Sequence, residues 1–207
     1  MRKSTALLLI DVVNDLDFPE STKLREQALP MARNLARLKA RAHEHQLPCI
    51  YVNDNFGQWK SDFRAIVAHC LRPESKGIEV TRMLQPKDDD YFVLKPMHSG
   101  FYQSNLEVLL DYLKVNTLIL TGIAANICVL FTANDAYMRD YHLFVPRDCV
   151  ASNTQQETDY SLEQMRQLLK AEIRPSTKIS FDALGSRDQR RSPGAAAKLL
   201  HRRSRQR

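Results

Sequence analysis

The sequence predicts an α/β protein, a three-layer α/β/α sandwich on a mostly parallel, Rossmann-like sheet. Two observations carry that expectation. Short apolar runs of strand length alternate with longer stretches of helical period along most of the chain, the pattern of successive βα units. Three of the runs also lead to a reactive side chain: residues 6–10 end in Asp11, 91–94 end in Lys95, and 118–123 break into a tight turn that leads to Cys128. In an open parallel sheet the ligand crevice lies at the carboxyl ends of the strands, so groups placed there converge although they are distant in sequence.

The elements follow in order. The first strand covers 6–11, and a helix runs over 27–45 with Leu29, Ala32, Leu35, Ala36, Leu38 and Ala42 at helical spacing. A second strand, 48–53, leads into a loop carrying Asn55, Phe56, Gly57, Gln58 and Trp59. Helices follow near 62–71 and, with a weaker pattern, around 78–84. The third strand, 91–95, feeds the loop Pro96-Met97-His98-Ser99-Gly100. In the next helix Ser104 takes the N-cap with Glu107 three residues on, a capping box, and Leu106, Leu109, Leu110 and Leu113 form the inner face. Strand four is 117–123, Cys128 opens a helix running to 139, and strand five is 142–145. A helix over 155–169 precedes a last apolar piece, 178–181. No internal repeat is present.

A chain of 207 residues suits one sizeable α/β core with a tail. The expected division is a domain over 1–184 and a basic, disordered tail over 185–207. No uncharged apolar stretch reaches membrane-spanning length. The start, Met1-Arg2-Lys3-Ser4-Thr5, leads to Asp11 without a small-residue cleavage pattern, so a cytoplasmic location is expected. Cys49, Cys70, Cys128 and Cys149 include no C-x-x-C pair, which argues against a zinc ribbon or disulfide framework and for reduced thiols.

The net charge of +6 is misleading as an average. Residues 186–207 hold eight basic side chains against Asp188 alone, a local +7, so the remainder is net −1. The basic character belongs to an appendage that can meet polyanions through charge alone. Without interleaved aromatics, no specific nucleic-acid binding is expected.

Cys128 is the most informative residue. A thiol in the first turn of a helix faces free backbone N–H groups and the positive end of the helix dipole, which favours the nucleophilic thiolate. Taken singly, each group has a plainer account: a buried cysteine is usually apolar filling, Asp11 could cap the next segment, and Lys95 could be a solvated strand end. Pattern alone leaves packing and catalysis both open. An aspartyl phosphatase would want a second aspartate at position 13, where Val13 stands. Dinucleotide binding would want more glycines around Gly122.

The motifs Leu9-Ile10-Asp11, Lys95 with Ser99-Gly100-Phe101, and Thr121-Gly122-Ile123-Ala124-Ala125-Asn126-Ile127-Cys128-Val129 occur in this order. With Thr132-Ala133 and Asp135-Ala136 downstream, they resemble the isochorismatase-like cysteine hydrolases over about residues 5–169. That family includes nicotinamidases, N-carbamoylsarcosine amidases and ureidoacrylate or biuret amidohydrolases, beside isochorismatases that cleave a vinyl ether. The resemblance implies that Cys128 is the nucleophile, Asp11 shuttles the proton and Lys95 holds both. It also implies a cis peptide between Ile123 and Ala124, oxyanion donors at the backbone N–H groups of Ala124 and Cys128, no cofactor, a small amide-type substrate and a homo-oligomer. Phe56, Trp59, Phe101, Tyr102 and Phe131 are expected to line the pocket, with core packing or a subunit contact as the alternative for each.

Departures refine this reading. Where nicotinamidases carry an Asp-x-His metal motif, this chain has Asn53-Asp54-Asn55, and His69 falls on a helix as a surface or packing residue. No metal is therefore expected, and nicotinamide is disfavoured as substrate. Val13 and Leu16 replace the Gln and Phe of many members. Many isochorismatases lack the cysteine, so Cys128 favours cleavage of a small amide, ureide or carbamoyl C–N bond. Vinyl-ether hydrolysis and a non-catalytic role binding a small ligand or partner are the alternatives.

Overall fold

The computed structural model describes residues 5–55 and 62–181. The strands are β1 (Thr5–Ile10), β2 (Cys49–Asp54), β3 (Tyr91–Lys95), β4 (Thr117–Ile123), β5 (His142–Phe144) and β6 (Val150–Ala151). They form one sheet in the order β3-β2-β1-β4-β5, with β6 pairing the last two residues of β4, and every pairing is parallel. Each residue of β1 is apolar or a threonine, and each is buried, as a central parallel strand covered on both faces requires.

Side-chain alternation divides the core into two layers. Leu7, Leu9, Tyr51 and Ile119 face the layer containing α1 (Ser21–Glu44), α2 (Phe63–Cys70) and α3 (Ile78–Met83). Ala6, Leu8, Ile10, Ile50, Val52, Leu118 and Leu120 face α4 (Leu106–Tyr112), α5 (Leu130–Met138) and α6 (Gln155–Leu168). The three-layer sandwich follows from that alternation.

The chain builds β1, β2 and β3 outward to one edge and then returns to lay β4 against the other side of β1. The seam between β1 and β4 is the point where strand order reverses, and it is where open sheets of this kind hold ligands. Gly122 makes that seam close. It pairs with Ile10, has a φ of 110°, and a Cβ there would stand 2.0 Å from the Ile10 carbonyl oxygen.

Several local expectations need correction. The first helix begins at Ser21 rather than residue 27 and runs through Pro30. Proline in a helix interior costs about 3 kcal/mol. Against it, the helix buries Leu24, Met31, Leu35 and Leu38, each worth roughly 1.5–3 kcal/mol, so packing wins. Ser104 and Glu107 do not form a capping box: α4 has Asn105 at its N-cap, Ser104 Oγ donates to the Gly100 carbonyl, and Glu107 reaches Arg139 at 3.1 Å. A capping box stands instead at Thr154 and Glu157 of α6. The last apolar piece, 178–181, continues from a 3-10 turn at Ser176–Lys178. The segment 185–207, and with it the expected tail, lies outside the described residues.

Candidate active site

Asp11 directly follows β1 and adopts a left-handed φ of 51°. Its backbone N–H stays in the sheet, donating to the Val52 carbonyl at 3.0 Å. Its carboxylate is held from two sides: Oδ1 accepts the Asp54 N–H at 2.7 Å, and Oδ2 lies 2.9 Å from Lys95 Nζ. Lys95 ends β3, and its long side chain is fully buried, which places the ammonium inside the crevice. The same Nζ donates to Cys128 Sγ at 3.7 Å and stands 3.5 Å from Asp54 Oδ2. Asp11, Lys95 and Cys128 therefore meet at the carboxyl edge of the sheet, across the seam between β1 and β4.

Cys128 is reached by an unusual path. The peptide between Ile123 and Ala124 is cis. A π-helical turn, Ala125–Val129, then carries the cysteine and passes directly into α5. The helix thus starts three residues before Cys128 rather than at it. The carbonyl of Ala124 accepts the N–H groups of both Ile127 and Val129. Single π turns are common where a helix must aim a functional side chain.

Neighbouring groups fix this turn. Thr132 Oγ1 donates to the Cys128 carbonyl at 2.7 Å and accepts the Gly100 N–H at 2.9 Å, joining the loop after β3 to the nucleophile's helix. Ser99 Oγ donates to Asp135 at 2.5 Å and accepts the Phe101 N–H. Ser152 Oγ accepts the Asn126 N–H and donates to the same residue's Oδ1. Asn53 bonds the backbone of Val13 in both directions, so its amide serves the loop after β1 and is occupied there.

The resting charge state differs from the expected thiolate. Burial, followed by the negative charge of Asp11, pushes the Cys128 thiol up to about 12, and the Lys95 ammonium only partly opposes this. Burial also raises the Asp11 carboxyl above its ordinary 3.8, against the pull of Lys95. A neutral thiol therefore stands beside the Asp11 carboxyl group that hydrogen-bonds it, with the Lys95 ammonium touching both. Such a set can move one proton from sulfur to carboxylate when sulfur attacks.

Other site expectations fare unevenly. Phe101 packs into the core, its ring 4.8 Å from the Arg139 guanidinium and 5.9 Å from the ring of Tyr141. It is buried in the core layer that also holds Leu106, Val129 and Ala133. Tyr102 is half exposed, and Phe131 is half exposed with its ring 5.5 Å from that of His98. Phe56 and Trp59 lie outside the described residues. His69 Nε2 lies at the surface, 2.9 Å from Asp15 Oδ2. Asp54 belongs to the 53–57 run expected to offer amides or carboxylates to a polar substrate, and the register pairs it instead with Lys95 across β2 and β3.

The isochorismatase domain matches residues 5–174. The chain belongs to the isochorismatase family. Among its relatives, the isochorismatase family protein YaaI of Bacillus subtilis (strain 168) is 42% identical over 174 residues, covering 84% of this chain and 95% of that protein. Ureidoacrylate amidohydrolase RutB of Methylorubrum extorquens is 42% identical over 65 residues, 31% of this chain and 26% of its own. The solved N-carbamoylsarcosine amidase of Thermoplasma acidophilum superposes with a TM-score of 0.64 at 26% identity, over 86% of this chain and 99% of its own. This isochorismatase-family hydrolase has, among its described residues, no helix long and apolar enough to cross a membrane.

Proposed function

We propose that this isochorismatase-family protein hydrolyses the C–N bond of a small amide, ureide or carbamoyl compound through a thioester on Cys128. The observation that supports it best is the single ammonium of Lys95, 2.9 Å from Asp11 Oδ2 and 3.7 Å from Cys128 Sγ. The amidohydrolase names of the two relatives above support C–N chemistry.

In this reading Cys128 sulfur attacks the carbonyl carbon as Asp11 takes the thiol proton. A thiol held near 12 needs that partner, because little thiolate exists at neutral pH. Negative charge developing on the carbonyl oxygen meets the backbone N–H groups of Ala124 and Cys128. Asp11, whose raised pKa makes it a better proton carrier than an ordinary carboxyl, then gives the proton to the leaving nitrogen, and the C–N bond breaks. Water attacks the thioester with Asp11 as base, releasing the acid and restoring the thiol. Lys95 stays charged throughout and stabilises the carboxylate and the forming thiolate.

The test is release of ammonia or amine from a panel of small amides, ureides and carbamoyl compounds by wild type and Cys128→Ala. Release by wild type that vanishes in the variant is expected. Cleavage of a vinyl ether that persists in Cys128→Ala would overturn the thioester route.

A further inference from the structure

At the edge of the sheet opposite Cys128, three elements bring a nitrogen, an oxygen and a sulfur to one point. His43 lies in the last turn of α1, Cys49 opens β2, and Asp90 immediately precedes β3. Their ligand atoms all lie within 4.8 Å of one another. The length of β2 separates this point from the catalytic edge by about 17 Å.

Two of these atoms lack partners in a way that is informative. His43 Nε2 and Asp90 Oδ1 are buried and 3.1 Å apart, yet neither makes a hydrogen bond. The Asp90 side chain is 1% exposed. Buried polar atoms normally find a partner. Here nitrogen and oxygen approach closely without aiming at each other, as two ligands of one ion do. Tetrahedral bonds of about 2.0–2.1 Å would set such a pair about 3.3 Å apart.

We propose that His43, Cys49 and Asp90 form a zinc-type metal site that ties the C-terminal end of α1 to the start of β2 and to the residue preceding β3. Imidazole, thiolate and carboxylate together suit a borderline-soft dication such as Zn²⁺. The surroundings orient each ligand. Lys39 Nζ lies 2.7 Å from Asp90 Oδ2 and is itself bonded to the Tyr51 hydroxyl and the Gln85 carbonyl, which leaves Oδ1 turned toward His43. Asp89 Oδ2 stands 3.5 Å from His43 Nδ1. A carboxylate on that nitrogen favours the tautomer whose Nε2 lone pair is free for a metal.

Asp89 and Asp90 offset Lys39 and Lys87 around Cys49 in the metal-free protein. Binding releases the Cys49 proton to solvent as the metal–sulfur bond forms, so the dication adds one net positive charge. The separations between positions 43, 49 and 90 match no metal motif, which is why the sequence carried no such expectation.

The test uses chelator-stripped full-length protein carrying Cys128→Ala, so that the one cysteine that is not buried cannot bind the ion. Zn²⁺ is titrated against a chromophoric chelator, and Co²⁺ binding is read from its visible and near-ultraviolet spectrum. One equivalent of each is expected, with a sulfur-to-cobalt charge-transfer band. Cys49→Ser should abolish that band, and Asp90→Asn should weaken Zn²⁺ binding at least tenfold. Should Asp90→Asn fail to fold, judged by circular dichroism, His43→Gln carries the same comparison. No stoichiometric binding, or binding unchanged in Cys49→Ser, overturns the proposal.

Discussion

Lys95 Nζ and Asp11 Oδ2 lie 2.9 Å apart where neither side chain is more than 7% exposed. Burial alone would push the lysine toward neutrality, but Asp11, by its charge and its hydrogen bond, together with Asp54 outweighs it and raises its pKa. Lys95 therefore stays charged at neutral pH. Removing one partner of a buried pair leaves an uncompensated charge and costs about 3–5 kcal/mol. Lys95→Met is expected to lose that much stability at neutral pH together with all activity. The loss should shrink in mild acid, where the stranded Asp11 carboxylate takes a proton instead. Urea midpoints at the two pH values check this, and equal losses at both would remove the buried-charge explanation.

The raised pKa of Asp11 gives activity and stability opposite slopes. Its carboxyl is raised by burial, so the folded state holds the proton more tightly than the unfolded chain. The stability this confers is full below the unfolded value of 3.8 and declines as pH rises through the folded pKa. Activity requires the ionised form, so kcat/KM should climb over the same interval. Both curves can be recorded on wild type, and the declining stability limb should disappear in Asp11→Asn. Curves that rise together would contradict the assignment of Asp11 as base.

The negative charge of Asp11 is also one cause of the high Cys128 pKa, while Lys95 pulls the other way. Asp11→Asn should therefore raise the thiolate fraction near neutral pH. Iodoacetamide is expected to alkylate Cys128 faster in this variant than in wild type, although turnover drops by roughly 10²–10⁴-fold with loss of the proton carrier. Mass spectrometry of the modified peptide reads the first quantity and product release the second. Slower alkylation in the variant would show that charge does not govern this thiol.

The convergence of Asp11, Lys95 and Cys128 was legible because short apolar runs alternating with helical stretches have to be parallel strands, and parallel strands share a carboxyl edge; β1 and β4 are buried throughout, while the edge strand β3 exposes Tyr91 and Phe92. Their burial pattern survives in composition alone, whereas other features depend on distant partners. Ser104 and Glu107 carry a capping-box spacing that the Glu107–Arg139 contact at 3.1 Å defeats. Thr154 and Glu157 have the same spacing and no such competitor. The π turn at Ala125–Val129 has no side-chain cap to announce it. With only two residues, β6 is too short for alternation to show. Asp54 reaches Lys95 only through the register of β2 on β3, which no local pattern encodes.

Gly122 offers the sharpest test of how the fold aims the chemistry. Its φ of 110° is unfavourable for any side chain, and a methyl group there would stand 2.0 Å from the Ile10 carbonyl oxygen. The backbone strain alone costs about 1–3 kcal/mol, and the clash adds to it by forcing β4 away from β1. Asp11 follows one of these strands, and the turn bearing Cys128 follows the other. Gly122→Ala should therefore lower the urea midpoint and also reduce kcat/KM at a temperature where the variant is fully folded. A displacement of about 1 Å in a reacting group can cost roughly 10²-fold in rate, so the loss should exceed what any unfolded fraction explains. A destabilised variant with full activity per folded molecule would show that the seam between β1 and β4 holds the sheet together without setting the distance from Asp11 to Cys128.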